Sequence, residues 1–209
     1  MSNLVEGYPV RRNYAWEFIE GQRVFYDVVG TDSLPDGWPA PDFTPMTWVD
    51  PLDTKTGLSV TLENFRYRGR SLFYVVNGLA TPECQKGAKK CQALSRVPAP
   101  GVHLFIVSNE DPADLLRLAK EQGLTIPMLS TAATTDHPES NFGLQYGLYL
   151  RNPQDPSADG MLMRSLIGLR GAQSLKQTDP LPLLFRKRIT NQGGPQPNFI
   201  RGVEIARAA

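Results

Sequence analysis

Four adjacent residues, Thr81, Pro82, Glu83 and Cys84, concentrate the chemistry of this chain. They follow an apolar run, Ser71-Leu72-Phe73-Tyr74-Val75-Val76, with the pattern of a buried strand. They open a segment from Gln85 to Ser95 that suits a helix. A thiol at a strand-to-helix turn lies against unpaired backbone N–H groups and the positive end of the helix dipole. Such a setting lowers a cysteine pKa and raises its thiolate fraction. Pro82 suits a helix start because it has no N–H to lose. Thr81 can cap the helix, turn its hydroxyl toward the sulfur, or do both. A lone cysteine is more often a packing residue; the position of Cys84 favours a reactive thiol.

Other chemistry-bearing residues are few. Arg164 lies among Leu162, Met163, Leu166 and Ile167, in an otherwise apolar strand, where an unpaired arginine is costly. Arg170 is the alternative, nearer the end of that strand. His103 falls in a strand and suits a satisfied core position; His137 lies in a polar loop. Two cysteines and two histidines lack metal-site spacing, and Gly193-Gly194 is no phosphate-binding fingerprint, so neither metal nor cofactor is expected. The absence of Cys-x-x-Cys argues against a disulfide reductase.

The elements that must position these residues follow from periodicity and turn chemistry. Trp16 to Ile19 and Arg23 to Asp27 flank Glu20-Gly21-Gln22 as a β-hairpin. A Pro/Gly-rich connector, Leu34 to Pro45, comes next. Leu58 to Leu62 alternates like a short strand, and Glu63 to Tyr67 forms one turn ending at Gly69. Val102 to Ser108 is a buried strand. Asp111-Pro112 start a helix that Gly123 stops. Ile126 to Leu129 is a short strand and Phe142 to Tyr146 a helical turn. Leu162 to Leu169 and Leu183 to Ile189 are strands, and Phe199 to Ala208 is a closing amphipathic helix. This alternation predicts an α/β sandwich around a mixed sheet.

At 209 residues, the chain suits one domain with a full core, or at most two small ones. Lys+Arg 22 against Asp+Glu 21 implies neither a nucleic-acid nor an anionic-membrane partner. No apolar run approaches the roughly 20 residues of a membrane span, and the polar start, with Arg11 and Arg12, lacks a secretory h-region. Two cysteines suit a reducing compartment, so a cytoplasmic location is expected.

In their order along the chain, several segments resemble the peroxiredoxins, in particular the atypical two-cysteine thiol peroxidases. They are Pro39-Ala40-Pro41-Asp42-Phe43-Thr44, Leu62-Glu63-Asn64-Phe65-Arg66 with Gly69, Thr81-Pro82-Glu83-Cys84, Met128-Leu129-Ser130-Thr131, Gln145-Tyr146-Gly147 and Met163-Arg164-Ser165-Leu166-Ile167. The resemblance runs from Trp16 to Ala208. It implies a thioredoxin-like three-layer sandwich with a central mixed sheet, helices on both faces and an N-terminal β-hairpin. Residues 1–209 would form a single domain, with 1–35 as the hairpin extension. It implies Cys84 as the peroxidatic cysteine, Thr81 as its hydroxyl partner and Arg164 as the active-site arginine. The implied activity is thiol-dependent reduction of hydrogen peroxide or organic hydroperoxides. The implied partners are a thioredoxin-like or other thiol reductant and a second copy in a homodimer.

Two positions depart from the family pattern. Asn77 stands where the signature has proline, and Ala119 where the resolving cysteine of this branch falls. The other thiol is Cys91, seven residues after Cys84. On a continuous helix the two lie about 10 Å apart along the axis, whereas a disulfide needs Cα atoms within roughly 7 Å. A Cys84–Cys91 disulfide therefore requires the first turns to unwind, a step that Gly87 and the repulsion among Lys86, Lys89 and Lys90 assist. Cys91 as a buried core residue is the competing reading. The activity has two alternatives: a one-cysteine route resolved by an external thiol, and a non-catalytic redox sensor or scaffold.

Overall fold

The computed structural model describes residues 8–19, 22–31, 34–43, 45–53, 57–96, 101–132, 141–155, 160–171, 180–188 and 204. Strands β1 (Val10–Ile19), β2 (Gln22–Val29), β3 (Met46–Val49) and β4 (Ser59–Val60) lead to a 3-10 turn at Leu62–Phe65 and then β5 (Arg70–Val75). Helix α1 (Pro82–Ser95), β6 (Val102–Ser108), α2 (Pro112–Glu121) and β7 (Met128–Ser130) follow. The described part ends with α3 (Phe142–Gln145), β8 (Tyr149–Arg151), β9 (Ser165–Arg170) and β10 (Leu183–Arg188). His137, Gly193-Gly194 and the closing helix lie outside the described residues, except for Glu204, which is helical.

A seven-stranded sheet runs in the order β10-β9-β5-β6-β7-β3-β4. Its centre is parallel (β5 with β6, β6 with β7), while β9 joins β5 antiparallel, as do β10 to β9, β3 to β7 and β4 to β3. The apolar runs at β5 and β6 need this central place, because both faces of those strands are covered. Leu72, Tyr74 and Val76 pack in one cluster with Cys84, Ala88 and Cys91 of α1 and Leu115 and Ala119 of α2. Phe73 and Val75 pack in the other, with Phe65, Phe142 and the hairpin residues Ala15, Tyr26 and Val28. The period of two thus sends alternate residues of one strand into two cores. The result is the expected sandwich around a mixed sheet, with both long helices on one face.

The N-terminal hairpin is longer than its sequence pattern suggests, and it does not stand alone. Strand β8 pairs with β2 to make a second sheet, β1-β2-β8, and Arg151 donates to Asp27 across the pair at 3.0 Å. Strands β3 and β8 have no counterpart in the sequence reading. Each is three or four residues long, too short to show a period, and each exists through its pairing, β8 with β2 and β3 with β7 and β4.

Local chemistry sets the helix limits. Asp111 caps α2 by accepting from the Ala113 N–H at 2.8 Å, and Pro112 takes the first position. Gly69 and Gly123 adopt positive φ, 72° and 65°, at the two turns their sequence context predicts.

Candidate functional site

The sheet order decides what can meet. Strands β5 and β6 are parallel, so the loop leaving β5 toward α1 and the loop leaving β6 toward α2 emerge at the same edge. Strand β9 runs antiparallel to β5, so its first residues reach that edge as well. In a sheet of this type the carboxyl ends of parallel strands are where function is usually carried. The segments carrying Cys84, Glu110 and Arg164 gather there.

Cys84 lies in the first turn of α1 and is 1% exposed. Helix α1 begins at Pro82, three residues earlier than its periodicity suggests, with Thr81 as an extended N-cap residue. The Thr81 carbonyl accepts from the Gln85 N–H at 3.0 Å. The Thr81 hydroxyl makes no capping bond; it donates to the Gly78 carbonyl at 3.0 Å. That bond uses the hydroxyl proton and leaves the oxygen lone pairs as acceptors. Gln85 turns back to donate to the Leu79 carbonyl at 2.9 Å, tightening the same loop.

Arg164 precedes β9 rather than lying within it, a correction to the strand expected from Leu162. Residues 160–163 leave the sheet to pair with β8 and its flanks: the Met163 N–H donates to the Leu148 carbonyl and the Leu150 N–H to the Met161 carbonyl. Arg164 is 3% exposed. Ser165 pairs with Val75, so one step further along this register Arg164 stands opposite Val76. Val76 and Leu166 both belong to the core that contains Cys84, which puts Arg164 at a register position on the α1 face. Arg170 pairs with Arg70 at the far end of the sheet and is exposed; it is not an alternative.

Asn77 follows β5 by two residues and is buried, and its side-chain carbonyl oxygen has no hydrogen-bond partner among the described residues. His103 corrects another expectation. It is exposed near the start of β6, at the opposite end of the sheet from Cys84, and partial burial with the nearby Arg68 charge lowers its pKa.

Cys91 is 0% exposed, and burial pushes its thiol up to about 12. Cys84, Gly87, Ala88, Cys91 and Gln92 form the buried stripe of one continuous helix, and both cysteines are free thiols. Gly87 has a packing reason that its sequence does not reveal. A Cβ at this position would lie 1.8 Å from the hydroxyl oxygen of Tyr74 and 2.6 Å from its ring. The glycine therefore admits the buried tyrosine between β5 and α1. Lys86, Lys89 and Lys90 are all exposed on the opposite face of the helix.

Glu110 was not singled out from the sequence. Its carboxylate accepts from the Leu79 N–H at 2.9 Å and the Ala80 N–H at 3.2 Å, tying the end of β6 to the loop before Cys84. The available signal was indirect: two adjacent parallel strands followed by polar loops must bring those loops together.

Among the described residues, no helix is long and apolar enough to cross a membrane. The chain matches no protein-family model and no curated protein in sequence. Solved structures do share its architecture. A peroxiredoxin-like protein from Aquifex aeolicus superposes with a TM-score of 0.62 at 14% identity, covering 96% of this chain and 99% of the other. A thiol peroxidase from Chromobacterium violaceum gives 0.60 at 18% identity, covering 90% and 95%. The peroxidoxin BcpB from Mycobacterium tuberculosis gives 0.59 at 17% identity, covering 84% and 98%. At these identities the likeness shows the fold, which is thioredoxin-like.

Proposed function

We propose that this protein is a thiol-dependent peroxidase with Cys84 as its nucleophile. The observation that carries the reading is the meeting, at one sheet edge, of a buried thiol in a helix's first turn, a threonine hydroxyl oriented by Gly78, and the buried Arg164 segment. The Cys84 thiolate attacks the terminal oxygen of a hydrogen peroxide or organic hydroperoxide. A sulfur–oxygen bond forms as the O–O bond breaks, and the leaving oxygen takes a proton to become water or an alcohol; Cys84 becomes a sulfenic acid. The Thr81 oxygen accepts from the peroxide O–H. Arg164 stabilises the thiolate and the charge that develops on the leaving oxygen.

Cys91 then attacks the Cys84 sulfur, a disulfide forms and water leaves. A thioredoxin-like or other thiol returns both cysteines to thiols, and a homodimer belongs to the same reading. The complete burial of Cys91 and the continuity of α1 favour a second route, in which an external thiol attacks the sulfenic acid directly. Both routes share the first step.

Peptide mapping after one equivalent of peroxide, with and without a dithiol reductant, tests the proposal. Stoichiometric loss of the Cys84 thiol is expected. A Cys84–Cys91 disulfide identifies the internal route; a trapped Cys84 sulfenic acid beside free Cys91 identifies the external one. A Cys84 thiol that survives peroxide sinks the peroxidase and leaves a redox scaffold.

A further inference from the structure

We infer that the turn Ser108-Asn109-Glu110, at the carboxyl end of β6, is the positioning element that holds the Cys84 loop and the Arg164 segment in fixed relation. The inference rests on the peroxidase reading, and it concerns residues that do not themselves touch the peroxide.

The turn has two arms. On one side, Glu110 accepts the Leu79 and Ala80 N–H groups with its two carboxylate oxygens. Those residues immediately precede Thr81. Charge-assisted bonds of this kind are about twice as strong as neutral ones. On the other side, Asn109 donates its side-chain amide to the Gly160 carbonyl at 2.8 Å. Gly160 lies four residues before Arg164, and the intervening chain is pinned to β8 through Met161, Leu162 and Met163. Adjacent residues of one turn thus grip both halves of the site.

The turn is itself braced. The Ser108 hydroxyl donates to Glu110 Oε2 at 2.8 Å, the same oxygen that accepts from the Leu79 N–H. The Ser130 hydroxyl donates to the Glu110 carbonyl at 2.5 Å, and the Thr131 N–H donates to the Ser108 carbonyl at 2.8 Å. Val107, Ser108 and Ser130 are fully buried. A rigid turn anchored in the middle of the sheet can set the spacing of two loops that run on beyond the last paired residues of β5 and β9, Val75 and Ser165. Attack on an O–O bond depends on that spacing, because misplacing reacting groups by about 1 Å costs on the order of 10²-fold in rate.

The test replaces each arm and reads three quantities on the full chain. Glu110→Gln keeps the shape of the side chain but sets an NH₂ group against a backbone N–H. It is expected to speed amide exchange at Leu79 and Ala80 and to slow peroxide oxidation of Cys84 by roughly ten-fold or more. Alkylation of Cys84 by iodoacetamide, read at a pH where the sulfur is fully ionised, needs the thiolate but no donor to a leaving oxygen, and is expected to change far less. Asn109→Ala is expected to slow oxidation while Leu79 and Ala80 stay protected. Combining the two should slow oxidation by less than the product of the single effects, since both break one alignment. Equal slowing of oxidation and alkylation would mean a general loss of structure and overturn the inference. Normal wild-type turnover with unchanged kinetics in Glu110→Gln overturns the positioning role alone. A wild-type protein that leaves peroxide unconsumed overturns the proposed function and the positioning role with it.

Discussion

Cys84 and Cys91 share one helix, one buried stripe and near-complete burial, yet their surroundings differ in kind. Cys84 lies in the first turn, where backbone N–H groups lack intrahelical acceptors and a polar, cross-tied loop arrives from β5. Cys91 lies two turns further along, where every nearby helical N–H is already used and the packing is apolar. Burial without polar company drives its thiol up to about 12. The pair teaches that two sulfurs equally buried in one helix stripe can meet different surroundings, a polar first turn for one and an apolar interior for the other.

The largest expected effect breaks the pair outright. Cys84→Ser should leave peroxide consumption at the buffer background, while Cys91→Ser keeps the first oxidation at the wild-type rate in a stopped-flow assay. The reverse outcome would exchange the roles of the two sulfurs. Next comes Arg164, which the peroxidase reading sets beside Cys84. Arg164→Ala should slow oxidation by roughly 10²-fold, the scale of losing one well-placed donor to a transition-state charge. Unchanged kinetics in that variant would remove Arg164 from the site.

A smaller effect sharpens the comparison along the helix between the sulfurs. Gly87→Ala should cost about 1–3 kcal/mol in urea unfolding, because the new methyl must displace the buried Tyr74 ring or the helix. In a Tyr74→Phe background the cost should shrink. If Gly87→Ala instead stabilises the protein, helix propensity rather than packing governs this position.

The last effect is absent at neutral pH and is alkaline. The folded Cys91 holds its proton up to about 12, against an ordinary value of 9.0, so its contribution to stability is complete below pH 9 and is lost as pH rises from 9 toward 12. Across that window wild type should lose stability relative to Cys91→Ala, with a slope of at most about 1.4 kcal/mol per pH unit. Parallel stability curves for the two proteins would contradict the burial account of this thiol.

Much of the site was legible in sequence where the signal was local. Pro82 and Pro112 mark helix starts because a missing N–H acts within one turn, and Asp111 adds a side-chain cap that Thr81 does not. Arg164 was legible as a buried arginine beside apolar neighbours, but its strand was placed three residues too early: nothing local distinguishes a residue bonded to β9's partner from one bonded to β8. His103 misled for a related reason. A strand pattern tells which residues alternate, but not which end of the strand runs into solvent.

The sequence by itself determined the thiol in a helix's first turn, the two long helices and the central apolar strands, all consequences of interactions spanning a few residues. Tertiary structure alone decided the strand order that brings the β5, β6 and β9 ends together, the short strands β3 and β8, and the fit of Tyr74 over Gly87. It also decided the two-armed grip of Asn109 and Glu110, whose partners lie 51 and about 30 residues away. Bonds across such separations depend on where distant segments pack, and no short stretch of sequence carries that information.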